Sequence, residues 1–273
     1  MPELPEVETV RSGLEMALKG ATIRKVTLRR KDLRIPFPKD LAQRLEGQKI
    51  PAIRRRAKYL LFDLASSDVL IAHLGMSGRF SIEGKTPKIF TAHDHVIFTL
   101  NDGRALIYND ARRFGLMTIA HKEELASHSL FAALGPEPFD KAFSPAYLQG
   151  ALQERKTAVK VALMDQALVV GVGNIYASEA LFLAGISPHI PAKKTAHQAK
   201  AIIAAIRKVL GDAIASGGSS LRDFIHVSGE TGYFQHHFNV YGRKGDPCVT
   251  CGEHIRSTRL SGRSTFFCPS CQK

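Results

Sequence analysis

The chain of 273 residues lacks the sequence features that mark membrane and secreted proteins. No apolar run approaches the ~18 residues that a membrane-spanning helix needs. The acidic first residues also lack the basic and apolar regions of a signal peptide. We therefore expect a cytoplasmic protein.

Acidic residues are in short supply: 25 Asp and Glu stand against 38 Lys and Arg, which gives a formal charge of +13. Such an excess indicates a polyanionic partner, with nucleic acid as the leading candidate and a lipid surface behind it. The hydrophobic content of 44% argues against disorder. A chain of this length can form two domains with substantial cores.

Cysteine is scarce as well, and all four cysteines lie after residue 247. They form two pairs, Cys248 with Cys251 and Cys268 with Cys271, with two residues inside each pair and sixteen between the pairs. In a reducing compartment this spacing is typical of a tetrathiolate zinc site. Four sulfur ligands leave no position open for water, so one structural Zn²⁺ is predicted. His254 is predicted to be a surface residue and not a ligand.

The first residues suggest a nucleophile. Removal of Met1 would expose Pro2 as a secondary amine, and an α-amino group titrates near pKa ~7.7 to 8.0, so part of it is unprotonated at neutral pH. Attack of this amine on a sugar carbon gives an iminium, which is a built-in electron sink. The plainer alternative is a helix start, because Glu3 and Glu6 precede an apolar stripe at helical spacing and prolines suit a first helical turn.

Short β-branched or aromatic runs alternate with turns from about residue 21 to residue 120, which predicts an antiparallel sandwich or barrel. Asn101-Asp102-Gly103 is a hairpin signal between two of these runs. The clearest runs are Lys25 to Leu28, Tyr59 to Leu64, Val69 to Leu74, Val96 to Leu100 and Ala105 to Tyr108.

After the prolines near residue 136 the apolar period becomes helical. Helices are predicted from Val159 to Gln166 and from Ile175 to Leu183, with Asn174 as the N-cap of the second. A third apolar stripe, from Ile202 to Ile214, is ended by two glycines. A glycine-containing turn between helices can aim N–H groups and Asn174 at a phosphate, although a cap without a ligand is equally consistent with the residues.

Five motifs, taken together and in order, resemble formamidopyrimidine-DNA glycosylase over nearly the whole chain. Leu4 and Val7-Glu8-Thr9 are more similar to this enzyme than to its relative endonuclease VIII. The motifs are Pro2 to Val10, His73 to Gly78, Arg112 to Gly115, Gly171 to Glu179 and the cysteine ribbon.

The resemblance implies an α+β protein: an N-terminal β-sandwich flanked by helices, then a helix-two-turn-helix module and a zinc ribbon, with DNA between the two domains. It implies a catalytic domain over residues 1–133, a linker over 134–150, a helical module over 151–237 and a ribbon over 238–273. The segment from Gly217 to Tyr241 resembles the lesion loop, which closes over the damaged base. The expected protein is a nucleoid-associated monomer that binds double-stranded DNA containing oxidised purines or abasic sites.

The implied activity is removal of 8-oxoguanine and formamidopyrimidines through a Schiff base at Pro2, followed by β,δ-elimination. The damaged nucleotide must leave the base stack for this chemistry. Glu3 resembles the acid that protonates the sugar ring oxygen. Lys58 is similar to a lysine that acts through the DNA backbone, and Arg263 to the ribbon arginine that grips the lesion phosphates. From the residues alone, the run from Arg54 to Arg56 is interpreted as solvated, and a solvated Arg263 is as consistent as a phosphate contact.

Further residues match the family's DNA contacts. Phe114 can wedge between bases, Met76 can fill an irregular void, and Arg112 offers a planar fork to the orphaned cytosine. The family usually has a proline where this chain has Ala111. The residues implied to contact substrate are Glu6, Met76, His93, Arg112, Phe114, Arg155, Lys156, Asn174 and Tyr241.

Three alternatives stay open. His93 and His95 share a strand face and could pair on a metal, but only two ligands are in view. A non-catalytic DNA-binding zinc protein accounts for the charge and ribbon and leaves the N-terminal proline and acids unexplained. An enzyme using Pro2 as a base on small keto acids leaves the ribbon and the basic charge unexplained.

Overall fold

The computed structural model describes residues 2–218 and 237–273, and these fall into two compact units. Among the described residues, the first unit contains the chain up to Ala132 together with Gly217 and Gly218, and the second contains the remainder. Most of the predicted lesion loop, residues 219–236, lies outside the described residues.

Helix α1 (Leu4–Leu18) opens the first unit. Pro5 lies in its first turn, where a missing backbone N–H costs nothing. The predicted apolar stripe is confirmed, since Val7, Val10, Leu14 and Leu18 are all buried. The stripe packs α1 into the core of the first unit.

Two four-stranded antiparallel sheets follow. The first has the order β1-β6-β7-β5 and the second the order β2-β3-β4-β8. The predicted hairpin at residues 101–103 is confirmed as the turn between β6 and β7. The elements are β1 (Ile23–Leu28), α2 (Leu41–Leu45), β2 (Ala52–Arg56), β3 (Tyr59–Asp63), β4 (Asp68–His73), β5 (Arg79–Glu83), β6 (Asp94–Leu100), β7 (Ala105–Asn109) and β8 (Leu116–His121).

The two sheets share one hydrophobic core with α1 and α2. Phe62 on β3 meets Phe80 on β5 across the sheets, with ring centroids 5.7 Å apart. Phe80 in turn contacts Tyr108 on β7 at 5.0 Å. Interdigitated side chains between aligned sheets define a sandwich, so the predicted β-sandwich with flanking helices is confirmed.

The interpretation of Arg54 to Arg56 as a solvated run is wrong for Arg55, whose side chain is 12% exposed, whereas Arg54 is exposed and also ion-paired. Arg54 on β2 forms a two-point ion pair with Asp63 on β3. Arg55 donates from Nε to Glu8 of α1 at 2.8 Å and from a terminal nitrogen to the Ala57 carbonyl at 2.9 Å. These arginines hold sheet and helix together because each carboxylate partner lies on a neighbouring element.

The second unit is helical up to residue 215 and ends in a hairpin. Helix α4 ends at Leu163, three residues before the predicted end at Gln166. The long apolar stripe is confirmed in α6, where Ile202, Ile206 and Leu210 are buried. The elements are α3 (Pro145–Gln153), α4 (Val159–Leu163), α5 (Asn174–Leu183), α6 (Ala199–Ala215), β9 (Arg256–Leu260) and β10 (Arg263–Phe267).

The prediction of Asn174 as an N-cap is wrong by one residue. Gly173 is the N-cap of α5, and Asn174 is the first helical residue. The Asn174 side chain is engaged elsewhere, because it donates to the Ser264 carbonyl at 3.0 Å and accepts from Lys160 at 2.7 Å. A side chain committed to a distant segment cannot also cap its own helix.

Strands β9 and β10 form a two-residue hairpin with Ser261 and Gly262 at its tip. Both tip residues have positive φ, 47° and 75°, as a type I′ turn requires. Arg263 follows the tip and is exposed. Across the described ranges, none of the helices is long and apolar enough to cross a bilayer.

Replacement of Leu14 by alanine tests the packing of α1. Leu14 is fully buried, so L14A should lower the free energy of unfolding by about 2–5 kcal/mol. Met16 lies on the same helix and is 84% exposed, so M16A should change stability by less than about 0.5 kcal/mol. Urea unfolding followed by far-UV circular dichroism measures the free energy of unfolding of both variants. Equal losses of stability in L14A and M16A would contradict this packing.

Candidate active site and metal centre

The acids at the start of the chain are buried. Glu3 is 3% exposed and Glu6 is 2% exposed, while Pro2 is partly exposed. The Glu3 backbone N–H donates to Glu6 Oε2 at 2.8 Å, and the two residues form a capping box at the start of α1. The residue that would carry the terminal amine is thus joined directly to a fixed, buried pair of carboxyl groups.

Gly218 lies against Glu6. A Cβ built on Gly218 would stand 3.3 Å from Glu6 Oε1, and the φ of Gly218 is +76°. Glycine tolerates this conformation and this approach, whereas a side chain would be strained and crowded. The segment predicted to close over a lesion base therefore begins beside the carboxylate predicted to lie near that base.

Basic groups gather where β3 begins and β4 ends. Lys58, a buried residue, lies in the turn that joins β2 to β3, after Ala57 with its positive φ of 53°. Burial, and after it the positive charges of Lys58 and Arg34, lower the pKa of His73 to about 4. His73 Nδ1 accepts from the Gly75 N–H at 2.9 Å. His73 is therefore neutral at pH 7 with its proton on Nε2, which makes it a hydrogen-bond donor.

Met76, Arg112 and Phe114 lie on two segments that contact each other. Gly75 has a φ of +63°, and a Cβ there would overlap the Phe114 carbonyl carbon, so only glycine permits this approach. The Arg112 guanidinium stacks over the Phe114 ring at 4.8 Å from its centroid. Phe114 is 48% exposed, so part of its aromatic ring stays accessible to a ligand.

His93 is exposed directly before β6, as a DNA contact requires. His95, by contrast, is buried, and its Nε2 lies 2.8 Å from the Asp110 carbonyl oxygen. The alternative of a metal held by His93 and His95 gains no third ligand among the described residues.

Lys160 organises the second unit around Asn174. Its side chain is 1% exposed, and Nζ donates to Asn174 Oδ1 at 2.7 Å, to Thr265 Oγ1 at 2.8 Å and to the Ser264 carbonyl at 3.1 Å. Three acceptors offset much of the cost of burying an ammonium group. Lys160 and Asn174 together fix the strand that starts at Arg263.

Tyr241 is fixed near Asn174 by a buried acid. Glu179 on α5 accepts the backbone N–H groups of Asn239, Val240 and Tyr241 at 2.8–3.0 Å. The Tyr241 hydroxyl lies 3.5 Å from Asn174 Nδ2. The structure thus brings together two predicted contact residues, Asn174 and Tyr241.

Arg155 and Lys156 follow α3. Arg155 forms an ion pair with Asp165 at 2.7 Å, and Lys156 is exposed. Their assignment as phosphate contacts stays a prediction.

The four cysteines form one cluster, with all sulfurs within 4.8 Å of one another. Cys248 and Cys271 are 3.9 Å apart, and Cys251 and Cys268 are 3.5 Å apart. A tetrahedron with Zn–S bonds of about 2.3 Å has edges of about 3.8 Å, so the sulfurs fit Zn²⁺. The Thr250 and Cys271 N–H groups each donate to a cysteine sulfur at 3.4 Å, which favours thiolates. His254 is exposed and bonds to the Gly245 carbonyl, as expected for a residue that is not a ligand.

The ribbon packs against α5 through Phe182, which shares a small core with Val240, Ile255 and the buried cysteines. A zinc ion bound here would hold together the ribbon that carries Arg263. The four sulfurs would fill its tetrahedral coordination and leave no open position. One structural zinc ion fits this cluster.

Sequence reasoning missed Lys160 and assigned no role to His73. A signal for Lys160 was present, since a lysine interrupts the apolar run from Val159 to Leu163. His73 opens the motif from His73 to Gly78, but only its burial near Lys58 shows that its ring is neutral.

Three family models match successive parts of the chain. The formamidopyrimidine-DNA glycosylase N-terminal domain matches residues 1–117, the H2TH domain of the same enzyme matches residues 134–225, and the zinc finger found in FPG and IleRS matches residues 245–273. The matches define a class in which a sandwich domain precedes a helical module and a zinc finger.

Similar proteins match over their whole length. Formamidopyrimidine-DNA glycosylases of Dinoroseobacter shibae and Azorhizobium caulinodans are each 49% identical to this chain, with full coverage of both sequences. The crystal structure of the Thermus thermophilus protein has a TM-score of 0.89 at 40% identity and covers 99% of this chain and 98% of its own. A Lactococcus lactis mutant in complex with Fapy-dG-containing DNA has a TM-score of 0.92 at 34% identity, with full coverage of both chains. The chain belongs to the formamidopyrimidine-DNA glycosylase family.

Loss of one zinc ligand should release the metal. C268S weakens a tetrathiolate site, and because the ribbon core includes the cysteines, the hairpin should lose its protection from hydrogen exchange. Zinc content by mass spectrometry and exchange over residues 256–267 measure this. S270A, an exposed change in the same turn, should keep one zinc per chain. Full zinc retention in C268S would show that Cys268 is not a ligand.

His73 should make the first unit less stable in acid. Its pKa is about 4 when folded and near 6.5 when unfolded, so the unfolded chain takes up the proton first as pH falls. The stability that the neutral ring provides is present above pH 6.5 and is lost between pH 6.5 and 4. Between pH 7 and pH 4.5, the free energy of unfolding of the wild type should fall by roughly 2 kcal/mol more than that of H73Q, as measured by urea unfolding at each pH. The exposed H197Q should behave like the wild type, and parallel pH profiles for wild type and H73Q would contradict the burial of His73.

Proposed function

We propose that the chain is a bifunctional base-excision-repair enzyme, a DNA glycosylase and abasic-site lyase that acts on oxidised purines in duplex DNA. The observation that carries the proposal is Pro2 next to the buried Glu3–Glu6 pair, in a chain of this family. A mere helix start needs no buried carboxyl groups, because acids at a helix N-terminus are stabilising while exposed.

Pro2 is the proposed nucleophile once Met1 is removed. Its nitrogen lone pair bonds to C1′ of the damaged nucleotide, the glycosidic bond breaks, and the bonding pair leaves with the base, which gains a proton as the Pro2 nitrogen loses its own. Ring opening gives an iminium at Pro2, and Glu3 supplies the proton for the ring oxygen. Loss of a C2′ proton then expels the 3′ phosphate, and a further elimination expels the 5′ phosphate. Water then hydrolyses the iminium, which frees Pro2 and the sugar fragment and leaves a one-nucleotide gap.

Glu3 and Glu6 take different roles because of their surroundings. Each side chain accepts the other residue's backbone N–H in the capping box, so one oxygen of each is committed to the fold, and the difference lies in the second oxygen of Glu6. This second oxygen lies near Gly218, where the predicted lesion loop begins. We assign Glu6 to contact with the extruded base and Glu3 to proton transfer.

Basic residues are assigned to the lesion phosphates. We assign Lys58 and the Nε2–H of His73 as donors on the first unit, because Tyr59, the residue after Lys58, pairs with His73 across β3 and β4. On the second unit, Arg263 and Asn174 belong to one cluster held by Lys160. Paired donors of this kind suit phosphate oxygens. His93, Arg155, Lys156 and Tyr241 are assigned to flanking DNA.

Met76, Arg112 and Phe114 are proposed to fill the space left by the extruded nucleotide. The exposure of Phe114 and its stacking with Arg112 support this role, since an apolar wedge and a planar fork are already adjacent. Inserted aromatic side chains commonly accompany base extrusion. Arg112 then faces the orphaned cytosine.

The proposed substrate class rests on the DNA present in solved structures of similar proteins. Solved Lactococcus lactis structures contain Fapy-dG DNA, abasic-site DNA and DNA with an oxidised pyrimidine. For this chain we propose 8-oxoguanine opposite cytosine and formamidopyrimidines as substrates, with abasic sites as lyase substrates.

Pro2→Gly tests the mechanism. Glycine keeps a terminal amine but replaces the secondary amine by a primary one, so incision of an 8-oxoguanine duplex should fall by at least ~100-fold, the scale of losing an effective covalent catalyst. Lesion binding by gel shift should remain within about threefold, a difference under ~1 kcal/mol. P51G, at an exposed proline, should cleave at the wild-type rate.

Intact mass provides the control for processing. Protein that retains Met1 has an amide nitrogen at Pro2 and should be inactive. Full incision by Met1-bearing protein, or by P2G, would remove Pro2 from the mechanism. A wild-type protein that binds the lesion without cleaving it would favour a non-catalytic DNA-binding protein.

A further inference from the structure

A buried acid outside the proposed chemistry lies between the segments that carry Met76, Arg112 and Phe114. Asp110 directly follows β7 and is 0% exposed. Carboxylates are rarely buried without a specific set of donors. Its position raises the question of what this side chain holds in place.

Asp110 joins the two segments through its two carboxylate oxygens. Oδ1 accepts from Ser77 Oγ at 2.6 Å, which lies one residue after Met76. Oδ2 accepts from the Gly115 backbone N–H at 2.8 Å, which lies one residue after Phe114. The Tyr108 hydroxyl lies 3.4 Å from Oδ2. Each oxygen thus has a donor from a different segment.

The chain of hydrogen bonds continues to Arg112. The Arg112 backbone N–H donates to Ser77 Oγ at 3.1 Å, and the same hydroxyl donates onward to Asp110. Donors aligned in one direction strengthen each other in a buried setting. Asp110 therefore fixes the backbone of Arg112 through Ser77, and that of Phe114 through Gly115.

The Asp110 backbone is itself anchored. His95 Nε2 lies 2.8 Å from its carbonyl oxygen, and its N–H donates to the His93 carbonyl at 3.0 Å. Both partners belong to or adjoin β6, the strand beside β7. A rigid support of this kind is needed where side-chain placement within about 0.5 Å decides function.

We propose that Asp110 is a positioning residue that sets the geometry of Met76, Arg112 and Phe114 and thereby the selectivity for cytosine opposite the lesion. The inference rests on the proposed function, since it takes these three residues as the ones that replace the extruded nucleotide. Asp110 touches no reacting atom. It acts by holding two loops in one arrangement.

Replacement by asparagine changes the chemistry and little of the shape. An amide has one acceptor oxygen, so its NH₂ group must face either the Ser77 hydroxyl or the Gly115 N–H. Ser77 can rotate its hydroxyl, but Gly115 cannot reorient a backbone N–H. The amide should therefore turn its oxygen to Gly115 and its NH₂ to Ser77, whose hydroxyl proton loses its buried acceptor, and the link between the two loops should weaken.

The test compares D110N with D102N, an identical change at an exposed hairpin acid that pairs with Arg104. Single-turnover excision is measured on duplexes with 8-oxoguanine opposite cytosine or adenine, and incision on a duplex with a preformed abasic site. D110N should reduce the cytosine-to-adenine preference about tenfold, the equivalent of ~1.4 kcal/mol. Abasic-site incision should stay within about twofold, because the base has already gone. D102N should match the wild type in all three assays.

If D110N folds poorly, S77A provides a second variant. It removes the hydroxyl that links the Arg112 N–H to Asp110, and Ser77 is only partly buried. S77A should also lower the cytosine-to-adenine preference. An equal loss of rate on all three duplexes, or an unchanged cytosine-to-adenine preference in both variants, overturns the positioning role. Failure of the proposed function is distinguishable, because the wild type itself would then cleave none of the three duplexes.

Discussion

The hydrogen bond from the Glu3 backbone N–H to the Glu6 carboxylate is the constraint on which the proposed chemistry depends. Chain termini fray unless they are tied down. Here the first residues are tied twice, by this bond and by the buried stripe that packs α1 into the sandwich core. Glu8 adds a third tie through Arg55, which also holds the turn before Lys58. A terminal amine can therefore have a defined position relative to buried acids.

Buried polar groups serve as connectors elsewhere in the molecule. Lys160 joins α4, Asn174 and the ribbon hairpin, and Asp110 joins the loops after β4 and β7. Both groups are buried with several partners, which is the condition under which a buried charge rigidifies a fold and does not simply destabilise it. The exposed residues assigned to DNA, such as Phe114 and Arg263, are carried on elements that these connectors hold.

Local patterns were enough to predict much of this architecture. The stripe of α1, the β6–β7 hairpin and the cysteine pairs depend on residues close in sequence, and the structure confirms each. Contacts over long separations were not predictable: Arg55 meets Glu8 across 47 positions, and Lys160 meets Ser264 across 104. The misplaced N-cap at Asn174 has the same origin, because a distant partner claims its side chain. The roles of Lys58 and Arg263 came from family resemblance and not from periodicity.

Reductive trapping tests the central claim most directly. Methionine-processed protein is incubated with a duplex carrying 8-oxoguanine opposite cytosine, borohydride is added, and the covalent complex is mapped by peptide mass spectrometry. We expect one DNA adduct per chain, on the Pro2 nitrogen, since borohydride reduces the iminium to a stable amine. An adduct on a lysine, or efficient strand cleavage without any trapped complex, would contradict the account.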